Sequence, residues 1–392
     1  MLLFFDGATQ TVFLYLFVLV VFIFVTSSYN SLSHGRVIVI ESRPLLKDWR
    51  IWTLCLTYAI VFGFRYNYLQ DWDNYRRTYE NIAAGYTLAS INVEVGYYIL
   101  NRVLSSCGLN YYSIFFIECF IWIFSICYLF KDHRKYLVFV IPIMYMMTTK
   151  LGLVVARQFL AMSFLYMAYK NLTVRKYLLA IFLCVIAVSI HKSCFVWIIP
   201  FFLFNWVKNV KAWYVFPIVI IFSLSAAFFH DYIYSFADGL TLFLSSNNVD
   251  IDYDSTKLSL SKYDGFSANL YQMIVGYFVN LMYLCLYFYY KKRGNIANDF
   301  LNNIIIIGLF GIVIMNVFGT HMILQRMAAY LSCFYYFGWG ILVSFTFNRK
   351  YKSDLIVKVV VILILIYFTR GFVNSISSFD TPGVNPYLIY KL

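Results

Sequence analysis

The chain has 392 residues, of which 62% are hydrophobic and only 12% charged, and its mean hydropathy is +0.73. A soluble protein cannot hide that much apolar surface, so the composition describes a polytopic helical membrane protein. The net charge of +13 would suit a nucleic-acid partner, but the cations form short clusters between apolar runs, so no nucleic acid is expected.

A membrane span needs about 20 apolar residues. Candidate spans fall at 5–26, 49–66, 110–130, 136–150, 152–170, 176–190, 193–207, 213–230, 269–290, 300–320, 326–347 and 355–371. The first apolar stretch, Thr11–Ser27, follows no basic segment and precedes no A-x-A site, so it reads as a retained span. Between the second and third spans lies a longer segment, 67–109, running through an acidic and aromatic stretch into a helix-like piece, Asn92–Cys107. Glu94, Tyr98, Asn101 and Ser105 recur there at helical spacing, which predicts one polar face on a helix lying on the membrane or dipping into it. A second long segment, 231–268, is rich in Asp, Ser and Asn and reads as an irregular cap. No fixed-period repeat appears, and no tail is long enough for a soluble domain. The expectation is a single all-α transmembrane domain, 1–392, with about twelve spans and two longer outer loops.

Charge sets the orientation. The links around 27–48, 131–135, 170–176, 208–211, 291–299 and 348–354, with their flanks, carry 19 of the 31 Lys and Arg but five acids. These links are therefore assigned inside, which puts both termini outside.

Against that map, Arg65, Arg157, Arg326 and Arg370 stand out. Each ends a long apolar run on the cation-poor side. Snorkelling to outer headgroups is the plain alternative, and Arg157 resists it best, being one turn into a span and followed by the small Ala161. Converging guanidinium forks match phosphate oxygens, so the pattern points to an anion-binding pocket. His191 and His321 terminate spans on the same side and suit proton transfer, although a hydrogen-bonded interfacial histidine explains His191 as simply and is the simpler reading for His321. Asp71, Asp73 and Glu94, with Tyr75, lie in the outer segment as candidate bases, hydroxyl acceptors or arginine partners. Glu118 sits inside a span, where a structural pairing is the plain reading. Asp71-Trp72-Asp73 has the D-x-D form of nucleotide-sugar sites but faces a side without nucleotide sugars. Asp250, Asp252 and Asp254 begin like a calcium loop, but Ser255 and Ser261 replace its glycine and glutamate. The eight cysteines form no C-x-x-C pair. Nothing in the pattern requires a metal or a cofactor.

The order Arg65…Asp71-Trp-Asp-Asn-Tyr75, Glu94-Val-Gly96-Tyr97, Arg157-Gln158-Phe-Leu-Ala161, His191-Lys-Ser193 and a late Arg326 resembles the EpsG family of polysaccharide polymerases, similar in role to the Wzy O-antigen polymerases. The resemblance covers roughly residues 60 to 340 and departs at Leu69-Gln70, where the family often has Gly-Thr. It implies a GT-C-like transferase in the bacterial inner membrane, working at the outer face on oligosaccharide carried by undecaprenyl diphosphate. A flippase and a chain-length regulator are implied as partners beside the lipid bilayer. The reaction would move a growing glycan onto a new lipid-linked repeat unit. Arg157, Arg326 and Arg65 would hold diphosphate, with Gln158, Tyr75 and His321 near substrate, and His191, Asp71 or Glu94 would serve as base. A lipid-linked oligosaccharide flippase or other transporter, and a ligase using the same diphosphate cradle, remain alternatives.

Overall fold

The computed structural model describes residues 7–29, 44–68, 71–206, 217, 270–296, 298–318, 322–348, 353–377 and 388–389. Among these residues it is all-α, with thirteen α-helices and one two-residue strand pair. In chain order the helices are α1 Gly7–Ser27, α2 Trp49–Gly63, α3 Trp72–Ala83, α4 Val95–Ser106, α5 Tyr112–Leu129, α6 Leu137–Val154, α7 Ala156–Thr173, α8 Tyr177–Ile190, α9 Phe195–Trp206, α10 Leu270–Lys292, α11 Asp299–Phe318, α12 Met322–Phe347 and α13 Leu355–Ser377. Eleven of the twelve expected spans coincide with one of these helices. The twelfth, 213–230, lies outside the described residues apart from residue 217, as does the expected cap at 231–268. By length and composition five helices can cross a membrane, at Thr9–Ser27, Tyr112–Leu129, Arg134–Val154, Ala328–Phe347 and Leu355–Ile376, and four shorter ones are apolar.

The chain divides into two compact units, Met1–Asn205 with Leu365–Leu392, and Trp206–Ile364. In the first, α5 packs against α2 and α7, α7 against α8, and α1 against α2 and α6. Gly63 makes the α2–α5 approach possible, since a Cβ there would stand 2.7 Å from the Phe116 backbone. Tyr15, Phe22, Tyr58, Phe62, Tyr145 and Phe372 form one buried aromatic cluster, tied by the Tyr145 hydroxyl donating to the Tyr15 carbonyl at 2.8 Å. In the second unit α11 packs on α12 through Gly308 and Gly311, whose missing side chains admit the α12 backbone. Tyr283, Tyr287 and Tyr290 donate or share hydrogen bonds with Ile305, Asn302 and Thr346 across that unit.

The segment 67–109 departs from its sequence reading in one way. The acidic and aromatic stretch is a helix, α3, too short and too polar to show as an apolar run; Gly85, at φ 95°, closes it with a left-handed turn. In α4, Asn101 is buried with Tyr97 and Leu104 while Val95, Ile99 and Val103 are exposed, so the side carrying Asn101 meets protein. Asn101 tolerates burial because its amide donates to the Tyr97 carbonyl at 2.7 Å.

One end of the first unit is locked by Asp48. Its carboxylate accepts from the Arg50 amide, which caps α2, and from the Tyr29 hydroxyl at 2.8 Å, and it pairs with Arg134 at 3.1 Å. Both side chains of the Asp48–Arg134 pair are 2% exposed. Removing one member strands a buried charge, so Asp48→Ala is expected to lower stability by about 3–5 kcal/mol. Unfolding of the purified variant in an SDS titration measures this, and a loss within experimental error of zero would contradict the buried pairing.

Candidate functional site

At the opposite helix ends of the same unit, four elements bring polar side chains together. The Trp72 indole donates to the Arg65 carbonyl at 3.0 Å and stacks on Phe115, so the first turn of α3 is pinned over α5. That places Tyr75, one turn on, edge-to-face with Tyr97 of α4 and with Phe115. Glu94 stands at the N-cap of α4, but its carboxylate does not cap its own helix. It reaches α7 and the end of α8 instead. Gly96 permits this contact, because a Cβ there would stand 2.8 Å from the Ser189 carbonyl carbon. The helical run through α6 and α7 breaks at Val155, which sets Arg157 in the first turn of α7. His191 follows α8 in extended backbone, φ −152° and ψ 110°, so its ring leaves the helix axis.

Glu94 is the hub. Its Oε2 accepts from Arg157 Nη1 at 2.9 Å, and its Oε1 faces His191 Nδ1 at 3.1 Å and the Lys192 backbone amide at 3.3 Å. Burial by itself would raise the Glu94 pKa, but the His191 hydrogen bond and the Arg157 and His191 charges outweigh it and hold the carboxyl at about 2. An ionised Glu94 can only accept, so Nδ1 is the protonated ring nitrogen and, in the neutral imidazole, Nε2 carries the lone pair. The Arg157 guanidinium also lies over the Tyr97 ring, 5.5 Å from its centroid. Arg157 and His191 stay open, their side chains 26% and 24% exposed. An oriented imidazole, a guanidinium and the positive end of α7 thus share one accessible spot, which suits binding an anion and moving a proton.

The remaining sequence candidates fall in different places. Arg65 is fully buried, its Nη1 bonded to the Phe62 carbonyl at 2.8 Å and its Nη2 to the Leu153 carbonyl at 3.3 Å, with its plane over Phe115. Asp71 precedes α3, half-buried, and its charge acts on Tyr75. Gln158 is buried beside Arg157 in α7. Arg326 lies in the first turns of α12 with its side chain outside the described residues, and His321 lies outside them altogether. Tyr97 and the Lys192 amide were not picked out as contributors by the sequence. A backbone donor leaves no residue-type signal, and Tyr97 was visible only as part of the Glu94-Val-Gly-Tyr run. Among the described residues no three His, Cys, Asp or Glu side chains group closely enough to hold a metal ion.

The EpsG family model matches residues 49–389. No curated protein and no solved structure matches the chain.

Two outcomes follow from the Glu94 hub. A side chain at 96 must push α4 off α8 and part Glu94 from His191, so Gly96→Val should lower whatever activity the site has by at least tenfold while the protein still inserts; unchanged activity would contradict the close approach. The depressed Glu94 pKa adds stability that is whole above its ordinary value of 4.5 and fades as pH falls toward about 2. The full loss is on the order of 3 kcal/mol. Thermal unfolding midpoints measured from pH 5 to pH 3 should drop faster for the wild type than for Glu94→Gln, and parallel curves would exclude this linkage.

Proposed function

We infer the function from one premise: the chain belongs to the EpsG family, whose members are Wzy-like polymerases. We propose that it is a polysaccharide polymerase of the bacterial inner membrane, with about twelve spans, a GT-C-like arrangement and both termini outside. It transfers a growing glycan from undecaprenyl diphosphate onto a new undecaprenyl-diphosphate-linked repeat unit at the outer face. The single observation that supports this most is the Glu94 carboxylate joining Arg157 to His191 at a partly open site.

The chemistry needs two things. An acceptor hydroxyl must lose its proton as its oxygen attacks the anomeric carbon, and the bond from that carbon to the diphosphate oxygen must break with its electron pair leaving on diphosphate. In this reading His191 Nε2 takes the proton, while Glu94, hydrogen-bonded to Nδ1, holds the ring and balances the imidazolium. Arg157 stabilises the charge growing on diphosphate, aided by the N-terminus of α7. Tyr75 contacts the sugar, and Gln158 lies beside Arg157 in α7. Asp71 is the alternative base. A flippase delivering the repeat unit and a chain-length regulator are its partners.

The test uses purified protein in liposomes with a synthetic undecaprenyl-diphosphate-linked repeat unit and no nucleotide sugar. A ladder of products is expected. Arg157→Ala should slow its formation by about 10²–10³ and His191→Ala by about 10²–10⁴. Movement of the lipid-linked sugar across the bilayer with no ladder would make the protein a transporter. Transfer of finished polymer to a different acceptor, without chain growth, would make it a ligase.

A further inference from the structure

Toward the helix ends opposite the Glu94 site, the first unit carries an apolar cleft that the proposed reaction does not use. Three helices wall it, α2 through Trp52, α5 through Phe120 and Phe124, and α7 through Phe164 and Met167, with Leu46 of the short 3-10 turn Leu45–Lys47 at its edge. Buried Cys55 closes its floor, while Leu46 and Trp52 are 63% and 40% exposed, so the cleft opens outward between the helices. Its exposed lining is wholly apolar. Aromatic rings form a row along it: Trp52 lies 5.8 Å from Phe120, Phe120 6.3 Å from Phe124, and Phe124 6.3 Å from Tyr128. The cleft holds about 300 Å³. An apolar cavity of about half that volume stays dry and takes one benzene ring, so roughly ten carbons of a hydrocarbon chain fit here.

Cations stand at one end of this row. Tyr128 follows Phe124 by one turn, and its hydroxyl donates to Asn171 at 3.1 Å, joining α5 to α7 one turn past Met167. The Lys131 ammonium lies over the Tyr128 ring, 4.5 Å from its centroid. Lys47 is exposed and follows Leu46 directly, in a turn held to α2 by the Trp52 indole donating to the Leu46 carbonyl at 2.9 Å. The acids next to these lysines in the chain pair elsewhere, Asp48 with Arg50 and Arg134, and Asp132 with Lys170. A hydrocarbon slot with two cations at its end matches a lipid whose headgroup is anionic; a zwitterionic lipid would fill the slot but gain little from the lysines. The basic links 131–135 and 170–176 and the exposed Trp49 lie at the same end. Basic pockets between spans take anionic headgroups, and tryptophan concentrates at the membrane interface.

We propose that the cleft binds one anionic phospholipid from the leaflet at that end, with an acyl chain between α2, α5 and α7 and a phosphate met by Lys47 and Lys131. The chain fills a gap among three helices of the first unit, two of which, α2 and α7, run toward Arg65 and Arg157 at the other end. The proposal does not rest on the polymerase reading, and its test needs no turnover.

Protein purified in a neutral detergent is titrated with phosphatidylglycerol or with phosphatidylcholine of the same chains. The unfolding midpoint is followed, and retained lipid is counted by native mass spectrometry. Phosphatidylglycerol should raise the midpoint saturably and leave one lipid bound, while phosphatidylcholine binds about tenfold more weakly or less. Lys47→Gln and Lys131→Gln should each weaken phosphatidylglycerol about fivefold and leave phosphatidylcholine unchanged. Met167→Trp fills the slot and should abolish retention of both lipids; if that variant does not fold, Ile121→Trp, on the α5 wall, fills it from the other side. Equal binding of the two lipids, or lysine variants that hold phosphatidylglycerol as the wild type does, would reduce the cleft to ordinary lipid contact and overturn the proposal. Retention of undecaprenyl phosphate in preference to phosphatidylglycerol, lost in the slot-filling variant, would make it a site for the carrier lipid and overturn it as well.

Discussion

Glu94 fills its lone pairs from three directions: a guanidinium on α7, an imidazole just past α8 and a backbone amide one residue further. Each contact ties α4 to α7 or to the segment just past α8, so one carboxylate holds α4 over the helix ends and also fixes which ring nitrogen of His191 faces it. In a poorly hydrated setting an anion with fewer partners would be costly. The geometry of the site therefore follows from satisfying one charge.

The same rule governs the opposite helix ends, with a different outcome. Asp48 also collects three partners, but it and Arg134 are almost completely covered, and the pair staples loops to helix starts. The Glu94 cluster instead keeps an arginine and a histidine partly open. Two ion clusters of similar composition thus divide into architecture and candidate chemistry by access alone. Only an open cation can meet an anionic ligand.

The arginines illustrate how far a one-dimensional reading reaches. Arg65 and Arg157 look alike in the chain, each at the tip of an apolar run. In the fold Arg65 is wrapped by carbonyls and a phenyl ring, and Arg157 stands at a helix start beside a carboxylate. Arg370 is exposed on α13. The distinction arises because Arg65 follows α2 into a strand and the crowded base of α3, whereas the break at Val155 frees the backbone just ahead of Arg157. Which side of α4 meets protein was undecided by the sequence for a related reason. Periodicity identifies a two-sided helix but not which side meets protein, and in contact with lipid the apolar side can be the outer one.

Helix positions along the bundle were legible in the sequence because hydrophobic length is a local property: about 20 apolar residues span a bilayer whatever surrounds them. Polar residues at the ends of those runs, among them Arg157 and His191, were legible for the same reason, and Glu94 by its place in the segment between two spans. Their partnership was not, since Glu94 lies 63 residues from Arg157 and 97 from His191, and no spacing rule connects positions that far apart. Only tertiary packing, through Gly96 against Ser189 and Trp72 against Phe115, decided which charges meet, which stay open and which are buried.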